Sequence, residues 1–450
     1  MGKLFGTDGI RGIANRDLTP ELAYKLGRVG TYVLLDEDDN KKARVVIGKD
    51  TRISGDLLES AITAGFLSMG ADVVSLGVAP TPAVAYLTRY LEADFGIVIS
   101  ASHNPAEYNG IKFFNNKGYK LSDEVENKIE GYILNHGDVN RKVEGKDIGS
   151  IVYDKTGIDE YINFLKTTLD CNFKGFRIAV DAGNGAAYKA APKLLRDLGA
   201  EVFVINDQPN GININEDCGS TNPQKVAGLV RETGADIGLS FDGDADRLIT
   251  VDENGEIVDG DYIMAICAAD LKKYGKLKNN TVVGTVMSNM GFEAAMREQG
   301  CNVARAQVGD RYVLEEMIKG GYCLGGEQSG HVIFLDYNTT GDGLLTAIQL
   351  IGVMKKEGKK LSELTDIMTS YPQVLVNARV KKENKEKYTE DLVIMEEIKV
   401  IEEKMTGYGR VLIRPSGTEA LVRVMLEGRN QEELNILATD LAKLIEERLG

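Results

Sequence analysis

Residues 44–74 read RVVIGKDTRISGDLLESAITAGFLSMGADVV and contain one complete copy of the pattern that decides the fold. The β-branched stretch at Arg44–Lys49 predicts a strand, and apolar residues at helical spacing predict a helix from about Leu57 to Met69. Gly70 ends this helix before a second apolar stretch begins. The order of strand, helix, glycine and strand is that of a β-α-β unit.

The same order occurs twice more along the chain. A predicted strand at Arg177–Asp181 precedes a helix over roughly 187–198, and a strand at 281–286 precedes a helix over roughly 291–299. Three α/β domains of similar build with mixed sheets are the simplest explanation.

The end of the chain has a different order of elements. Strands are predicted at 373–380, 410–414 and 421–426, and helices at 388–405 and 432–449. This order of strand, helix, two strands and helix predicts a smaller C-terminal α+β domain. The polar stretches 137–158 and 381–387 are predicted linkers. We therefore place the domains at 1–152, 153–254, 255–369 and 370–450.

The composition excludes several classes of function. With 53 Lys and Arg against 68 Asp and Glu, the formal net charge is −15, which argues against a nucleic-acid or anionic-membrane binder. No apolar run of about 18 residues predicts a membrane-spanning helix, and the N-terminus lacks the apolar run of a secretory signal. The five cysteines are odd in number and scattered without metal-ligand spacing, so we expect reduced thiols and a cytoplasmic protein.

The first motif whose side chains are candidates for catalysis is residues 99–112, ISASHNPAEYNGIK, which follows an apolar strand. Ligands of open α/β sheets bind at the carboxyl ends of strands. There Ser102 is a candidate nucleophile, His103 a candidate proton carrier and Lys112 a candidate charge partner for phosphate. A turn rich in Ser and Asn without chemistry is the alternative.

The second motif is residues 240–255, SFDGDADRLITVDENG. Asp242, Asp244 and Asp246 place three carboxylates at two-residue spacing, which suits a hard cation with oxygen ligands. A calcium-binding EF-hand is the competing interpretation, but Arg247 occupies the position that needs Gly, and both flanks predict strands. Mg²⁺ with a phosphate completing its coordination fits better. A solvated acidic turn without metal is the other alternative.

The third motif is the glycine-rich stretch 324–334, LGGEQSGHVIF. Its Glu327, Ser329 and His331 offer the donors and acceptors that recognise sugar hydroxyls. A polar turn between two strands would produce a similar sequence.

The fourth motif is residues 411–424, VLIRPSGTEALVRV. It combines guanidinium groups, hydroxyls and backbone N–H groups in the manner of an anion-binding cradle. The candidate anion ligands are Arg414, Ser416, Gly417, Thr418 and Arg423. In an acidic chain this local basic group predicts phosphate binding.

Together, the four motifs resemble the α-D-phosphohexomutase family, in which they occur in the same order. The opening Phe5–Gly12, FGTDGIRG, and the loop 326–331, GEQSGH, are similar to the branch that acts on glucosamine phosphates. Relatives that act on mannose phosphate more often open with Tyr-Asp-Ile-Arg-Gly. One departure is visible, since Ala420 stands where the family usually has Pro.

The resemblance implies an intramolecular phosphotransferase that reversibly converts glucosamine 6-phosphate into glucosamine 1-phosphate, on the route to UDP-N-acetylglucosamine. Phosphorylated Ser102 would donate its phosphoryl group, and a glucosamine 1,6-bisphosphate intermediate would reorient and return its other phosphate. One Mg²⁺ ion would be held by Asp242, Asp244 and Asp246 and would also contact the phosphoserine. The resemblance also implies a four-domain arrangement with the C-terminal domain as a lid.

The same resemblance implies roles for the remaining candidates. Arg247 and Arg11 would lie beside the metal, and Glu327 and Ser329 would hold sugar hydroxyls. The phosphate that is not reacting would be bound by Arg414, Ser416, Gly417, Thr418 and Arg423. Three residues have the chemistry of a general acid or base: Lys112 is the first candidate, His331 the second, and His103 is also suitable.

Two other functions remain open from the sequence. A phosphomannomutase or phosphoglucomutase would use the same mechanism on another sugar. A non-catalytic binder of sugar phosphate or Ca²⁺ would bind metal through the acidic motif but would carry no phosphate on Ser102. We expect a small hexosamine phosphate as partner, no nucleic acid and no membrane, and a monomer or homodimer.

Overall fold

The computed structural model describes residues 4–6, 8–35, 42–135, 139, 143–416 and 420–450. The chain divides into two compact units, one comprising residues 1–288 with 298–367, the other residues 289–297 with 368–450. Among the helices of the described residues, none is long and apolar enough to cross a membrane.

The first sheet of the larger unit is mixed and has the order β1-β5-β4-β2-β3-β6. Neighbouring strands are parallel except that β5 runs antiparallel to both β1 and β4. The strands are β1 (Ile10–Ile13), β2 (Arg44–Lys49), β3 (Asp72–Val78), β4 (Phe95–Ile99), β5 (Tyr108–Asn115) and β6 (Ile151–Tyr153). Its helices are α1 (Pro20–Leu34), α2 (Ser54–Ser68), α3 (Thr81–Tyr90) and α4 (Asp123–Asn135).

Strand β2 shows why this sequence forms a central strand. Val45 and Ile47 join a hydrophobic cluster that includes residues of α1, α2 and α4, whereas Val46 joins a second cluster with residues of α3. Successive side chains of a strand point to opposite faces of the sheet, so a run of β-branched residues buries both faces. The loops at the carboxyl ends of these strands are thereby held on a rigid scaffold.

The second sheet has the order β11-β10-β9-β7-β8, with β7 parallel to β8 and β9, and β10 antiparallel to its two neighbours. Its strands are β7 (Arg177–Asp181), β8 (Glu201–Ile205), β9 (Ile237–Phe241), β10 (Leu248–Val251) and β11 (Ile257–Val258). Its helices are α5 (Gly157–Thr167), α6 (Ala187–Asp197) and α7 (Gln224–Thr233). The acidic motif connects two strands, as predicted, which excludes the helices of an EF-hand.

The third sheet has the order β13-β12-β14-β15, in which β15 is the antiparallel edge. Its strands are β12 (Thr281–Thr285), β13 (Asn302–Ala306), β14 (Leu324–Gly326) and β15 (Val332–Phe334). The helices of this region are α8 (Gly260–Lys273), α10 (Asp310–Gly320), α11 (Gly343–Glu357) and α12 (Leu361–Leu364). Helix α9 (Met290–Glu298), between β12 and β13 in the chain, belongs to the smaller unit except for its last residue.

The smaller unit contains an antiparallel three-stranded sheet with the order β16-β18-β17. Its elements are β16 (Gln373–Arg379), α13 (Leu392–Lys404), β17 (Arg410–Pro415), β18 (Leu421–Glu427) and α14 (Gln431–Leu449). The predicted order of elements is confirmed. Helix α13 begins later than predicted because the Asp391 side chain accepts hydrogen bonds from the N–H groups of Val393 and Ile394 and so caps it.

The predicted linker at 137–158 is wrong in part. Residues 151–153 form β6, which pairs in parallel with β3, and α5 already begins at Gly157. Ser150 anchors the strand, since its N–H and hydroxyl both donate to the Asp72 carboxylate. A short edge strand in a polar stretch has too few apolar residues to produce a period that the sequence would reveal. The second predicted linker contains 3-10 turns at 382–384 and from 387.

Candidate active site

Ser102 lies in the loop that follows β4, and its side chain points to the acidic motif. Its Oγ donates a 2.6 Å hydrogen bond to Asp242 Oδ2 and lies 3.3 Å from His103 Nδ1. The residue is buried and has a φ of +52°, which is rare for any residue other than glycine. The first and second motifs, about 140 residues apart, therefore form one site.

The three carboxylates of the acidic motif lie together in the loop between β9 and β10. One oxygen from each of Asp242, Asp244 and Asp246 lies within 4.8 Å of the others, and all three residues are buried. Within the described part of the chain, Asp244 Oδ1 and Asp246 Oδ1 have no hydrogen-bond partner. Burial raises the pKa of Asp242, and the charges of Asp246 and Asp244 raise it further. Oxygen ligands at this separation, held against mutual repulsion, fit a hard divalent cation.

Lys112 on β5 is the buried cation of the site. Its Nζ lies 2.8 Å from Asp244 Oδ2, 2.9 Å from Asp8 Oδ2 and 3.7 Å from Asp246 Oδ2. Burial alone would lower the pKa of Lys112, but Asp244 and Asp8 outweigh it and raise the pKa above its usual range. Conversely, burial alone would raise the pKa of Asp244, and Lys112 brings it below its usual range. Lys112 is therefore held protonated and Asp244 ionised.

A row of alternating charges continues from Lys112 into the third sheet's region. Asp8 pairs with Lys112, Lys120 and Arg11, and Lys120 also pairs with Asp310 at the start of α10. Our sequence analysis missed Asp8, Lys120 and Asp310. Asp8 lies within the quoted opening segment, which was a usable signal, whereas Lys120 and Asp310 lie outside every motif. Lys120 is 112 residues from Asp8 and 190 residues from Asp310 along the chain.

The third motif lies beside the acidic triad. His331 forms an isolated β-bridge with Arg247, and the Leu248 N–H donates to Gly330 O at 3.0 Å. The His331 Nε2 lies 3.7 Å from Asp310 Oδ2 and 3.9 Å from Asp246 Oδ2. Neither ring nitrogen of this buried histidine has a hydrogen-bond partner among the described residues. The structure therefore brings His331 and Arg247 to the site that the carboxylates define.

The other residues of the first three motifs differ in their environments. Glu327 is half-buried and accepts a 3.0 Å hydrogen bond from the Gly309 N–H, whereas Ser329 is exposed in the turn between β14 and β15. Burial lowers the pKa of His103 to about 4, and the charges of Arg247 and Arg11 contribute to the shift. At neutral pH His103 is thus an uncharged hydrogen-bonding group.

The fourth motif lies on the sheet of the smaller unit. Arg414 on β17 is directly opposite Arg423 on β18, and Ser416 follows at the end of β17. The Ser416 N–H donates to Leu421 O at 2.8 Å, which closes the loop between these strands. Gly417 and Thr418 lie outside the described residues. Two arginines and a serine of the predicted anion cradle thus lie at neighbouring positions of two adjacent strands.

Comparison with known families gives four successive matches along the chain. They are the models described as phosphoglucomutase/phosphomannomutase alpha/beta/alpha domain I at residues 2–139, domain II at 159–255, domain III at 259–371, and the C-terminal domain at 375–444.

Two curated relatives are similar to the chain over its whole length. The phosphoglucosamine mutase of Alkaliphilus oremlandii is 75% identical over 450 residues, and that of Alkaliphilus metalliredigens is 68% identical over 450 residues. In both cases the alignment covers 100% of this chain and 100% of the relative.

Solved structures share the fold at much lower identity. A phosphoglucomutase/phosphomannomutase family protein from Burkholderia thailandensis is 24% identical, with a TM-score of 0.81 and coverage of 99% of this chain and 98% of that one. The Aspergillus fumigatus N-acetylphosphoglucosamine mutase in complex with GlcNAc-6P and magnesium is 17% identical, with a TM-score of 0.69 and coverage of 100% and 96%.

Proposed function

The chain belongs to the phosphoglucomutase/phosphomannomutase family, and we propose that it interconverts glucosamine 6-phosphate and glucosamine 1-phosphate through a phosphoserine at Ser102. The observation that carries this proposal is the 2.6 Å hydrogen bond between Ser102 Oγ and Asp242 in a buried acidic site. Relatives named phosphoglucosamine mutase at up to 75% identity support the choice of sugar. A hydroxyl nucleophile beside candidate metal ligands suits phosphoryl transfer.

The reaction consists of two phosphoryl transfers in opposite directions. In the first, the bond between phosphorus and Ser102 Oγ breaks while a bond forms to the free hydroxyl oxygen of the sugar monophosphate. The hydroxyl proton leaves, and the product is glucosamine 1,6-bisphosphate. After the bisphosphate reorients in the site, its other phosphoryl group is transferred to Ser102 Oγ. This transfer restores the phosphoserine and releases the isomeric monophosphate.

The acidic triad is the proposed metal site. Asp242, Asp244 and Asp246 would hold Mg²⁺, and their burial and free oxygens support this assignment. When bound, the cation would neutralise negative charge on the phosphoryl group in transfer. The GlcNAc-6P and magnesium complex of the Aspergillus fumigatus mutase supports this choice of metal. Arg247 donates its backbone N–H to Asp242 Oδ1 at 3.1 Å and keeps that ligand oriented.

Proton transfer is assigned to two groups with different electrostatic environments. Lys112 is surrounded by carboxylates that keep it protonated, which suits a proton donor to the leaving oxygen. His331 has two ring nitrogens without partners in the described part of the chain, which suits a base for the attacking hydroxyl. Since the reaction is reversible, the two groups exchange roles in the return transfer.

Substrate binding is assigned to the third and fourth motifs. Glu327 and Ser329 would hold the sugar hydroxyls. The phosphate that is not reacting would be bound by Arg414, Ser416, Gly417, Thr418 and Arg423. Arg414 and Arg423 are directly opposite each other in the sheet, and two neighbouring guanidinium groups would both donate to one bound phosphate.

The first test is a coupled assay of glucosamine 6-phosphate conversion with Mg²⁺ and a trace of glucosamine 1,6-bisphosphate. We expect turnover that disappears with EDTA and in Ser102→Ala. Faster turnover of mannose or glucose phosphate would contradict the proposed sugar but not the mechanism. Binding of sugar phosphate without any phosphate on Ser102 would indicate a non-catalytic binding protein instead.

A further inference from the structure

The backbone of Ser102 adopts a conformation that its own residue type disfavours. A φ of +52° brings the Cβ of an L-residue close to its carbonyl oxygen, and such residues persist only where their surroundings hold them. From this conformation Ser102 Oγ reaches Asp242. The contacts that hold the Ser102 backbone therefore determine where the nucleophile lies.

Arg52, in the loop after β2, contacts the backbone of the Ser102 loop through its guanidinium. Its Nη2 donates to Ser102 O at 3.0 Å and to Asn104 O at 2.7 Å, and its Nη1 donates to Pro105 O. The Arg52 side chain is fully buried. A planar guanidinium supplies several donors in one rigid arrangement, which suits three carbonyls along a curved loop.

Asn215, in the loop between β8 and α7, contacts two of the same carbonyls. Its Nδ2 donates to Ser102 O at 2.9 Å and to Asn104 O at 3.1 Å. The nucleophile loop of the first sheet is thus held by one side chain from its own sheet and one from the second sheet. We call Arg52 and Asn215 the carbonyl clamp.

Asp50 closes the network on the other side of the Ser102 peptide. It accepts hydrogen bonds from Arg52 Nε at 2.8 Å and from Ser100 Oγ at 2.5 Å. Ser100 Oγ in turn accepts the Ser102 N–H at 2.9 Å. Both the N–H and the C=O of the nucleophile are therefore tied, through one intermediate side chain each, to a single buried carboxylate.

We propose that Arg52 and Asn215 are positioning residues, which hold the Ser102 backbone so that its Oγ and the phosphoryl group on it face the acidic triad. They act through the backbone of Ser102 and not through contact with the sugar. This inference rests on the proposed phosphoserine mechanism. Misplacement of a reacting group by about 1 Å can lower the reaction rate about 100-fold, so loss of the carbonyl clamp should lower kcat.

The test uses variants of the full-length enzyme that retain charge or volume. Arg52→Lys keeps a cation beside Asp50, but one ammonium cannot reach all three carbonyls, so we expect kcat to fall about 10- to 100-fold. Asn215→Ala removes only the second set of donors, and kcat should fall about 3- to 10-fold. In both variants KM for glucosamine 6-phosphate should stay within about two-fold of wild type.

Arg28→Lys is the matched control. Arg28 is also buried and donates to Ser68 Oγ and Val139 O, both at 2.9 Å, but it lies on α1 and contacts none of the site residues named above. Its substitution should lower the melting temperature and leave kcat unchanged. Single-turnover transfer from phosphorylated Ser102, followed by intact mass, should be slowed in Arg52→Lys and Asn215→Ala and normal in Arg28→Lys.

Several outcomes would overturn the clamp. The first is a wild-type kcat in both Arg52→Lys and Asn215→Ala, and the second is a rise in KM of these variants without loss of kcat. The third is a loss of kcat in Arg28→Lys as large as that in the clamp variants. If Arg52→Lys does not fold, Asn215→Ala decides, because its half-buried side chain can be truncated without opening a core. The wild-type arm tests the proposed function separately: if it prefers another hexose phosphate, the same comparison of variants is made with that sugar.

Discussion

The two regions of the molecule that we propose to bind phosphate are built in different ways. At the Ser102 centre the side chains come from strand β5 and from loops of the larger unit. They are buried and include pairs of opposite charge such as Lys112 and Asp244. In the smaller unit, Arg414 and Arg423 lie on adjacent strands of one sheet, directly opposite each other, and are half-buried.

This difference corresponds to a difference in task. A centre that transfers a phosphoryl group gains from dipoles and charges already oriented before the substrate arrives. A region that holds a non-reacting phosphate gains from charge that the ligand itself neutralises, since the binding energy then orients the sugar. Substitutions in the first region should therefore lower kcat, and those in the second should act on kcat/KM.

The largest effect is expected for Ser102→Ala. Removing the hydroxyl leaves nothing to carry the phosphoryl group, so kcat should fall by at least about 1,000-fold while the fold is retained. Intact mass after incubation with glucosamine 1,6-bisphosphate should show one added phosphoryl group in wild type and none in the variant. Activity above about one percent of wild type would mean that another residue carries the group.

Asp246→Asn should weaken metal binding at the centre. The variant replaces one of three carboxylates with a neutral amide, so Mg²⁺ affinity measured by calorimetry should fall by at least about 100-fold. Asp252→Asn is the matched control, because Asp252 lies on the same chain segment but accepts hydrogen bonds from the N–H groups of Asn254 and Glu256. Equal affinities for wild type and Asp246→Asn would remove Asp246 from the metal site.

Arg414→Ala tests the region of like charges. Loss of one charge-assisted hydrogen bond to phosphate costs about 1.5–3 kcal/mol, which corresponds to about 10- to 150-fold in kcat/KM. Arg429→Ala, an exposed arginine at the opposite end of β18, should leave kcat/KM unchanged. Wild-type kinetics in Arg414→Ala would refute its role in binding the phosphate.

Gly243→Ala should produce the smallest effect of the four, and it tests how tightly the acidic loop packs on the Ser102 loop. A Cβ at this position would lie 2.5 Å from Ser102 O, so one of the two loops must move, and kcat should fall roughly ten-fold. Gly228→Ala on α7 is the control, since a Cβ there meets no atom within 4 Å. A kcat equal to wild type in Gly243→Ala would show that the loops tolerate separation.

The sequence predicted those parts of the site that are contiguous along the chain. The nucleophile loop, the three carboxylates and the arginines of β17 and β18 each lie within about fifteen residues, where spacing alone indicates chemistry. The elements of the three β-α-β copies and of the C-terminal region were predicted in the right order, because apolar periodicity is a local signal, whereas elements such as β1, β11, α3 and α8 were not predicted. The start of α2 at Ser54 was missed by three residues, since Ile53 and Leu57 near its first turn are exposed.

Features that depend on tertiary contacts could not be predicted in this way. Arg52 contacts a loop 50 residues away, and Asn215 contacts the same loop from 111 to 113 residues away. An isolated Arg or Asn in a polar loop is usually exposed to solvent, and only the folded chain shows which carbonyls it meets. Lys120 and Asp310 were missed for the same reason, whereas Asp8 lies in a quoted segment whose signal was not used, and β6 is too short to show a period.

The charged row Asp244–Lys112–Asp8–Lys120–Asp310 joins segments from the three sheets of the larger unit, and its last three side chains are partly exposed. Removing Asp8, for example, breaks two ion pairs of the row but leaves Lys112 paired with Asp244 and Lys120 paired with Asp310. The row also couples the unfolding of the three sheets, because opening one sheet separates an ion pair that it shares with the next.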